Sequence, residues 1–245
     1  MDGETMRLLF TMTAAAALWA ADPDYRTPWQ AKDFEKAMGV LEGALAADPD
    51  SMKFGSEYRL LVIDAKAHDR AIKFFGDLAA KNPTMSNLHL NHGFAYVDKI
   101  PTAGSITQVL LANTSLGHFT KSLETKQTWI ALYTRGNAYL FWPKIFKRMP
   151  LGIADLEAAM KMQKSGKKMP FHVRSYLALG DGYFKNDEPE KAKAMWAEGL
   201  KEYPASDALK SRTGKSPEEI EKLISNVYDP YKRVDTDLSD LWKQQ

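Results

Sequence analysis

His89 and His92 stand three residues apart, and Asp98 follows nearly two turns later, so on a helix the two imidazoles would face the same way. This is the spacing in the chain nearest to a metal-ligand pair. His68, His118 and His172 have no partner in sequence. The other chemical concentration is cationic: Lys144, Lys147, Arg148, Lys161, Lys164, Lys167, Lys168 and Arg174 are offset only by Asp155 and Glu157. Such a cluster suits a docking face for an acidic partner or for anionic lipid headgroups, with Lys144, Lys147 and Arg148 at its start, or it is a solvated helix edge. Tyr133, Tyr139, Phe141, Trp142 and Phe146 crowd the same stretch. At helical spacing such aromatics serve a core first and a ligand second.

What is missing narrows the chemistry. The 245 residues include no cysteine, which excludes disulfides, thiolate metal sites, thiol catalysis, c-type haem attachment and a lipid-modified N-terminal cysteine. No phosphate-cradling glycine loop, zinc helix motif, nucleophile elbow or kinase signature occurs, so no enzyme is indicated and no cofactor is expected. Lys plus Arg number 33 against 31 Asp plus Glu, a balance that excludes binding driven by a general phosphate field and therefore nucleic acid as a partner. With 44% hydrophobic residues the chain can bury a core.

The elements that position these residues repeat. Ala37, Leu41, Ala44 and Pro49 recur as Ala71, Phe75, Leu78 and Pro83, a shift of 34 residues at all four positions. Gly93-Phe-Ala-Tyr96, Gly136-Asn-Ala-Tyr139 and Tyr176-x-x-Leu179-Gly180-x-x-Tyr183 mark further copies, the last followed by Ala192, Trp196, Gly199 and Pro204. Steps of 43 and 44 residues separate Gly93, Gly136 and Gly180, which puts extra residues into the second-helix regions, with breaks at Pro101, Pro143 and Pro150. Gly and Ala at the crossing let two helices of a hairpin approach, and the aromatics fill the space between hairpins. Ser216-Pro-Glu-Glu opens a last amphipathic helix. After it, Asp229 to Gln245 reads as a loose tail or as a strap over the repeats.

These spacings resemble the tetratricopeptide repeat (TPR) family almost position for position, Gly199 standing where that family usually has Ala. The resemblance implies an all-α protein: an α-solenoid of antiparallel helix hairpins in a right-handed superhelix, two repeats having lengthened second helices. Residues 22–228 would form this single domain and 229–245 a C-terminal tail. In that register His89 and His92 are packing positions, which leaves them weak candidates as metal ligands.

In the resembled family, ligands lie in the concave face lined by first helices. Carried over by register, with Arg59 standing where the second copy lacks its Gly, the groove would present Leu90, Phe94, Val97, Tyr133, Asn137, Leu140, Phe141, Leu177, Asp181 and Phe184. Asn137 matches a position of the family's carboxylate clamp, but Tyr133 occupies the place of the clamp lysine, so capture of a peptide C-terminus is not expected. An apolar groove takes an apolar helix, an extended hydrophobic segment, a greasy small ligand, or the chain's own C-terminal segment. The resemblance thus implies a non-enzymatic protein-interaction scaffold with a protein or peptide partner; the rival is a periplasmic binding protein for a small apolar solute serving a transporter.

Leu8 to Ala21 is apolar but shorter than the ~20 residues a bilayer span needs, and no later stretch qualifies. Arg7 precedes it, and Ala20-Ala21 and Asp22-Pro-Asp24 follow, the order of a signal peptide. Asp2 and Glu4 run against that order unless translation starts at Met6. Residues 1–21 are therefore expected to be a signal peptide and the mature protein periplasmic or secreted, the other reading being an ordinary first helix.

Overall fold

Short polar residues cap the starts of five helices. In the computed structural model, which describes residues 22–242, Asp33, Ser51, Thr128 and Ser206 each accept a hydrogen bond from a backbone N–H three residues on, and Ser216 forms a reciprocal capping box with Glu219. The signal peptide expected at 1–21 lies outside the described residues.

The order is α1 (Arg26–Gln30), α2 (Phe34–Ala47), α3 (Met52–Ala65), α4 (His68–Lys81), α5 (Ser86–Lys99), α6 (Ser105–Thr125), α7 (Trp129–Tyr139), α8 (Met149–Lys164), α9 (Val173–Lys185), α10 (Pro189–Glu202), α11 (Asp207–Thr213) and α12 (Pro217–Val227). Short 3₁₀ turns lie at Ile100–Thr102, Lys144–Phe146, Pro170–His172 and Ser239–Leu241. Helices pair as α1/α2, α3/α4, α5/α6, α7/α8 and α9/α10, and each hairpin packs on the next. The result is the α-solenoid that the resemblance implies.

Before the copy that begins at Ala37 lies a short first helix, five-residue α1, with the ring of Tyr25 buried beside it. One detail differs from the sequence reading. Of the two enlarged copies, α6 takes up its extra residues as helix, with 21 residues against the 14 of α2 and α4. α8 grows only to 16 residues, and much of the remainder becomes the 140–148 connection. Pro143 explains the difference: it lacks an N–H and holds an extended conformation just before the 3₁₀ turn.

Glycines set the hairpin spacing. A Cβ on Gly93 would lie 2.4 Å from the Phe119 ring, one on Gly180 2.2 Å from the Trp196 indole, and one on Gly136 2.9 Å from the carbonyl oxygen of Gly152. In all three hairpins the second helix rests on bare first-helix backbone, and Phe119, Leu156 and Trp196 are buried there. We therefore expect Gly136→Ala to cost about 1–3 kcal/mol by overpacking against backbone that cannot yield. Gly117→Ala, at an exposed α6 position with open space around it, should instead stabilise by about 0.5–1 kcal/mol through helix propensity. Urea unfolding of both variants checks the contrast.

Candidate functional site

The concave face is lined by α3, α5, α7 and α9, and it is not empty. Residues 229–242 run back along it as an extended strap. Its main anchor is Arg59, fully buried at 0% exposure. The Arg59 guanidinium donates to Asp98 at 3.0 Å, to Asn91 at 3.1 Å and to the Thr236 carbonyl at 3.2 Å. The Phe94 ring lies 4.6 Å from it. The Thr236 hydroxyl donates to the other Asp98 oxygen at 2.5 Å, so one carboxylate serves both helix and strap. Further along, Leu238 is buried against Leu90, Phe94, Leu116, Phe119 and Trp142. Arg174 of α9 bonds Asp240 at 3.0 Å and the Asp237 carbonyl at 3.3 Å. At the strap's start the Tyr228 hydroxyl donates to Asn137 at 3.3 Å, and its ring meets Phe141 edge-on.

The register-derived groove residues fall into three groups. Phe94, Val97, Tyr133, Asn137 and Phe141 line a cavity of about 310 Å³ left between α5, α6, α7 and the strap. Leu177 borders a second hollow, of about 290 Å³, on the other side of Tyr133. The remaining four do not act as free groove contacts. Leu90 and Leu140 are fully buried core residues, and Phe184 packs on Trp196. Asp181, at 1% exposure, accepts two bonds from Arg212 at 2.6 and 2.7 Å and one from the Trp196 indole at 3.2 Å, tying α9 to α10 and α11. Register alone cannot tell a groove position from one that a later helix covers.

Arg59, Arg174 and Thr236 are the site residues that groove reasoning did not select. Arg59 entered only as the substitute for a missing glycine. The signal was there: an arginine amid Tyr58, Leu61 and Val62 must find acceptors when buried.

The cationic cluster does not behave as a unit. Lys144 pairs with Asp187 at 2.7 Å, Lys164 with Glu198 and Lys168 with Glu202. Arg148 lies over the Trp142 ring at 3.8 Å and bonds Asn113. Lys147 is exposed and, among the described residues, without an ion-pair partner. Beside these cations lie strongly exposed apolar side chains: Ile145 at 83%, Ile106 at 82%, Leu110 at 62% and Phe146 at 50%.

The histidines are packing groups, as their register implies. His89 Nε2 lies 2.8 Å from the Pro83 carbonyl oxygen. His92 stacks with Tyr96 and with His118 of α6, and neither of its ring nitrogens has a partner. No cluster of three His, Cys, Asp or Glu side chains suited to a metal exists among the described residues. Burial pushes His92 down to about 3 and His118 down to about 4. Both rings therefore stay neutral when folded, while in the unfolded chain they take up a proton near 6.5.

No protein-family model matches the chain, and no curated protein matches it significantly. Its structure is similar to that of TTC0263, a thermophilic TPR protein of Thermus thermophilus, with a TM-score of 0.55 at 16% identity over 77% of this chain and 93% of that one. The fold is a TPR-like helical repeat. The MamA protein also matches, with a TM-score of 0.49 at 15% identity over 72% of this chain and 86% of that one. No helix among the described residues is long and apolar enough to cross a membrane.

Two outcomes follow. Arg59→Ala strands the buried Asp98 carboxylate and should cost about 3–5 kcal/mol; limited proteolysis should then cut within 229–242 before the repeats. For His92, the unfolded chain binds the extra proton between its own pKa and the depressed folded one, so stability falls as pH drops below ~6.5. His92→Phe, which keeps the ring stack, should flatten that fall by up to about 1.4 kcal/mol per pH unit, measured by urea melts from pH 7 to 4.

Proposed function

We propose that this chain is a non-enzymatic TPR-like interaction scaffold of an exported, periplasmic assembly, holding an extended, partly apolar segment of a partner protein in its concave groove. The observation that carries the reading is the strap. The groove holds an extended segment by a shape any similar segment could use: a carbonyl on Arg59, a hydroxyl on Asp98, an apolar side chain among Phe94, Phe119 and Trp142, and a carboxylate on Arg174. Export rests on the leader-like order of residues 7–24.

A second reading, binding of a small apolar solute, is favoured by the cavity beneath the strap, whose size lies at the lower end of ligand sites.

Native mass spectrometry of the protein made with its own leader in its host tests the first reading. The expected result is a mass lower by the leader with a second polypeptide attached. Leu238→Ala, which loosens the strap, should raise the bound fraction. A drop in capture with Leu238→Ala would mean that the partner reads the seated strap and would overturn the groove assignment. Absence of any attached polypeptide in both proteins would overturn the scaffold reading, and an uncleaved cytoplasmic chain would overturn export.

A further inference from the structure

The cavity beneath the strap has a direction. On α6 its wall runs through Gln108, Ala112, Ser115 and Phe119, successive positions on one helix face that span about 16 Å. Across from them α5 and α7 run parallel to each other, so Phe94 and Thr134 belong to the Phe119 end, and Pro101, Trp142 and Phe146 to the Ser105 end. A volume of about 310 Å³ drawn out over such a length is narrow. It holds on the order of ten methylene-sized groups in file rather than a compact ring system.

The two ends differ. Towards Phe119 the walls are largely buried and apolar; their polar groups are the Thr134 hydroxyl, which has no partner, and Arg174 beside Tyr133, which is held by Asp240. Towards Ser105 the cavity opens among exposed apolar side chains: Val109, Phe146 and Tyr231 are 49%, 50% and 72% exposed. Cations cluster at this end. Lys232 lines the cavity, and Lys144, Lys147 and Arg148 flank Phe146 in the connection that forms the rim. Against them stand Asp229, 4.0 Å from Lys232, and Asp187, which pairs with Lys144; Asp235 on the strap faces Arg174 near the other end.

We propose that this cavity binds a single-chain anionic amphiphile, a hydrocarbon chain of roughly ten carbons inside and its carboxylate or phosphate head at the Lys147–Lys232 rim. The inference rests on the solute-binding reading and names its ligand class. The chain replaces contacts that an empty apolar cavity lacks, and the head meets Lys147, which has no ion-pair partner among the described residues, and Lys232, whose ion pair with Asp229 is long at 4.0 Å. The exposed rim side chains then cover the first carbons of the chain rather than standing in water.

Isothermal titration of the full chain with decanoate, decanoyl-lysophosphatidylglycerol and neutral decanol tests it, with circular dichroism confirming the fold of each variant. Decanoate or the lysolipid should bind one per chain, the tighter of the two naming a free acid or a phospholipid as the source. Val109→Trp, at the half-exposed mouth, should weaken binding about tenfold; Ala112→Leu serves if that variant does not fold. Lys147→Glu with Lys232→Glu should weaken both anions and leave decanol unchanged. Thr134→Val should leave decanoate unaffected, and loss of binding there would place the head at the inner end and overturn the orientation. Decanol binding as tightly as decanoate at low salt would overturn the anionic head while leaving the solute reading intact. No binding by any of the three would overturn both, and binding undiminished by filling the cavity would overturn the location.

Discussion

A guanidinium taken wholly out of water must have its donors met by protein, and Arg59 is such a group. Its acceptors come from three places: Asn91 and Asp98 on α5, and a carbonyl on the strap. None of the three could leave without stranding a buried charge, so this contact fixes how α3 and α5 face each other and that residue 236 lies between them. The apolar part of the strap follows from that anchor. Once Thr236 is held, Leu238 two residues on falls among Leu90, Phe94 and Trp142, and Asp240 reaches Arg174.

The hairpins were legible in the sequence because their code is periodic and local. Gly136 and Gly180 sit where a Cβ has no room, and Trp196 sits where a large ring must fill the gap beside one of them. Such requirements recur at a fixed spacing and can be read without coordinates. The strap has no period. Asp229 to Gln245 reads equally as a loose tail or as a strap, because the carboxylates and carbonyls of the segment gain meaning only from arginines more than sixty residues away in sequence. Asp181 shows the opposite failure: its register placed it in the groove, and only the arrival of Arg212 on α11 turns it into a buried structural ion. The 140–148 connection was legible as an insertion, but not as the rim of a cavity.

The groove therefore carries less free surface than its register suggests, and what is left has changed character. A broad apolar trough becomes a partly covered cavity of about 310 Å³. The strap supplies part of the wall through Pro230, Val234 and Leu238, and the connection after α7 supplies aromatic and cationic side chains at the opening. The two proposed readings, interaction scaffold and solute binder, then fall on adjoining regions of one surface, separated by whether the strap stays seated.

Helical repeat arrays are usually chains of neighbours, in which each unit touches only the next and the ends can fray alone. Here the bond between Arg59 and Thr236 spans 177 positions. It joins the second hairpin to the segment beyond the last, bringing a contact of long sequence separation into an otherwise local topology. The array is thereby closed on itself. The hairpins it encloses are coupled in one transition instead of melting one by one, and the step that seats the strap carries the closure entropy of a very long loop.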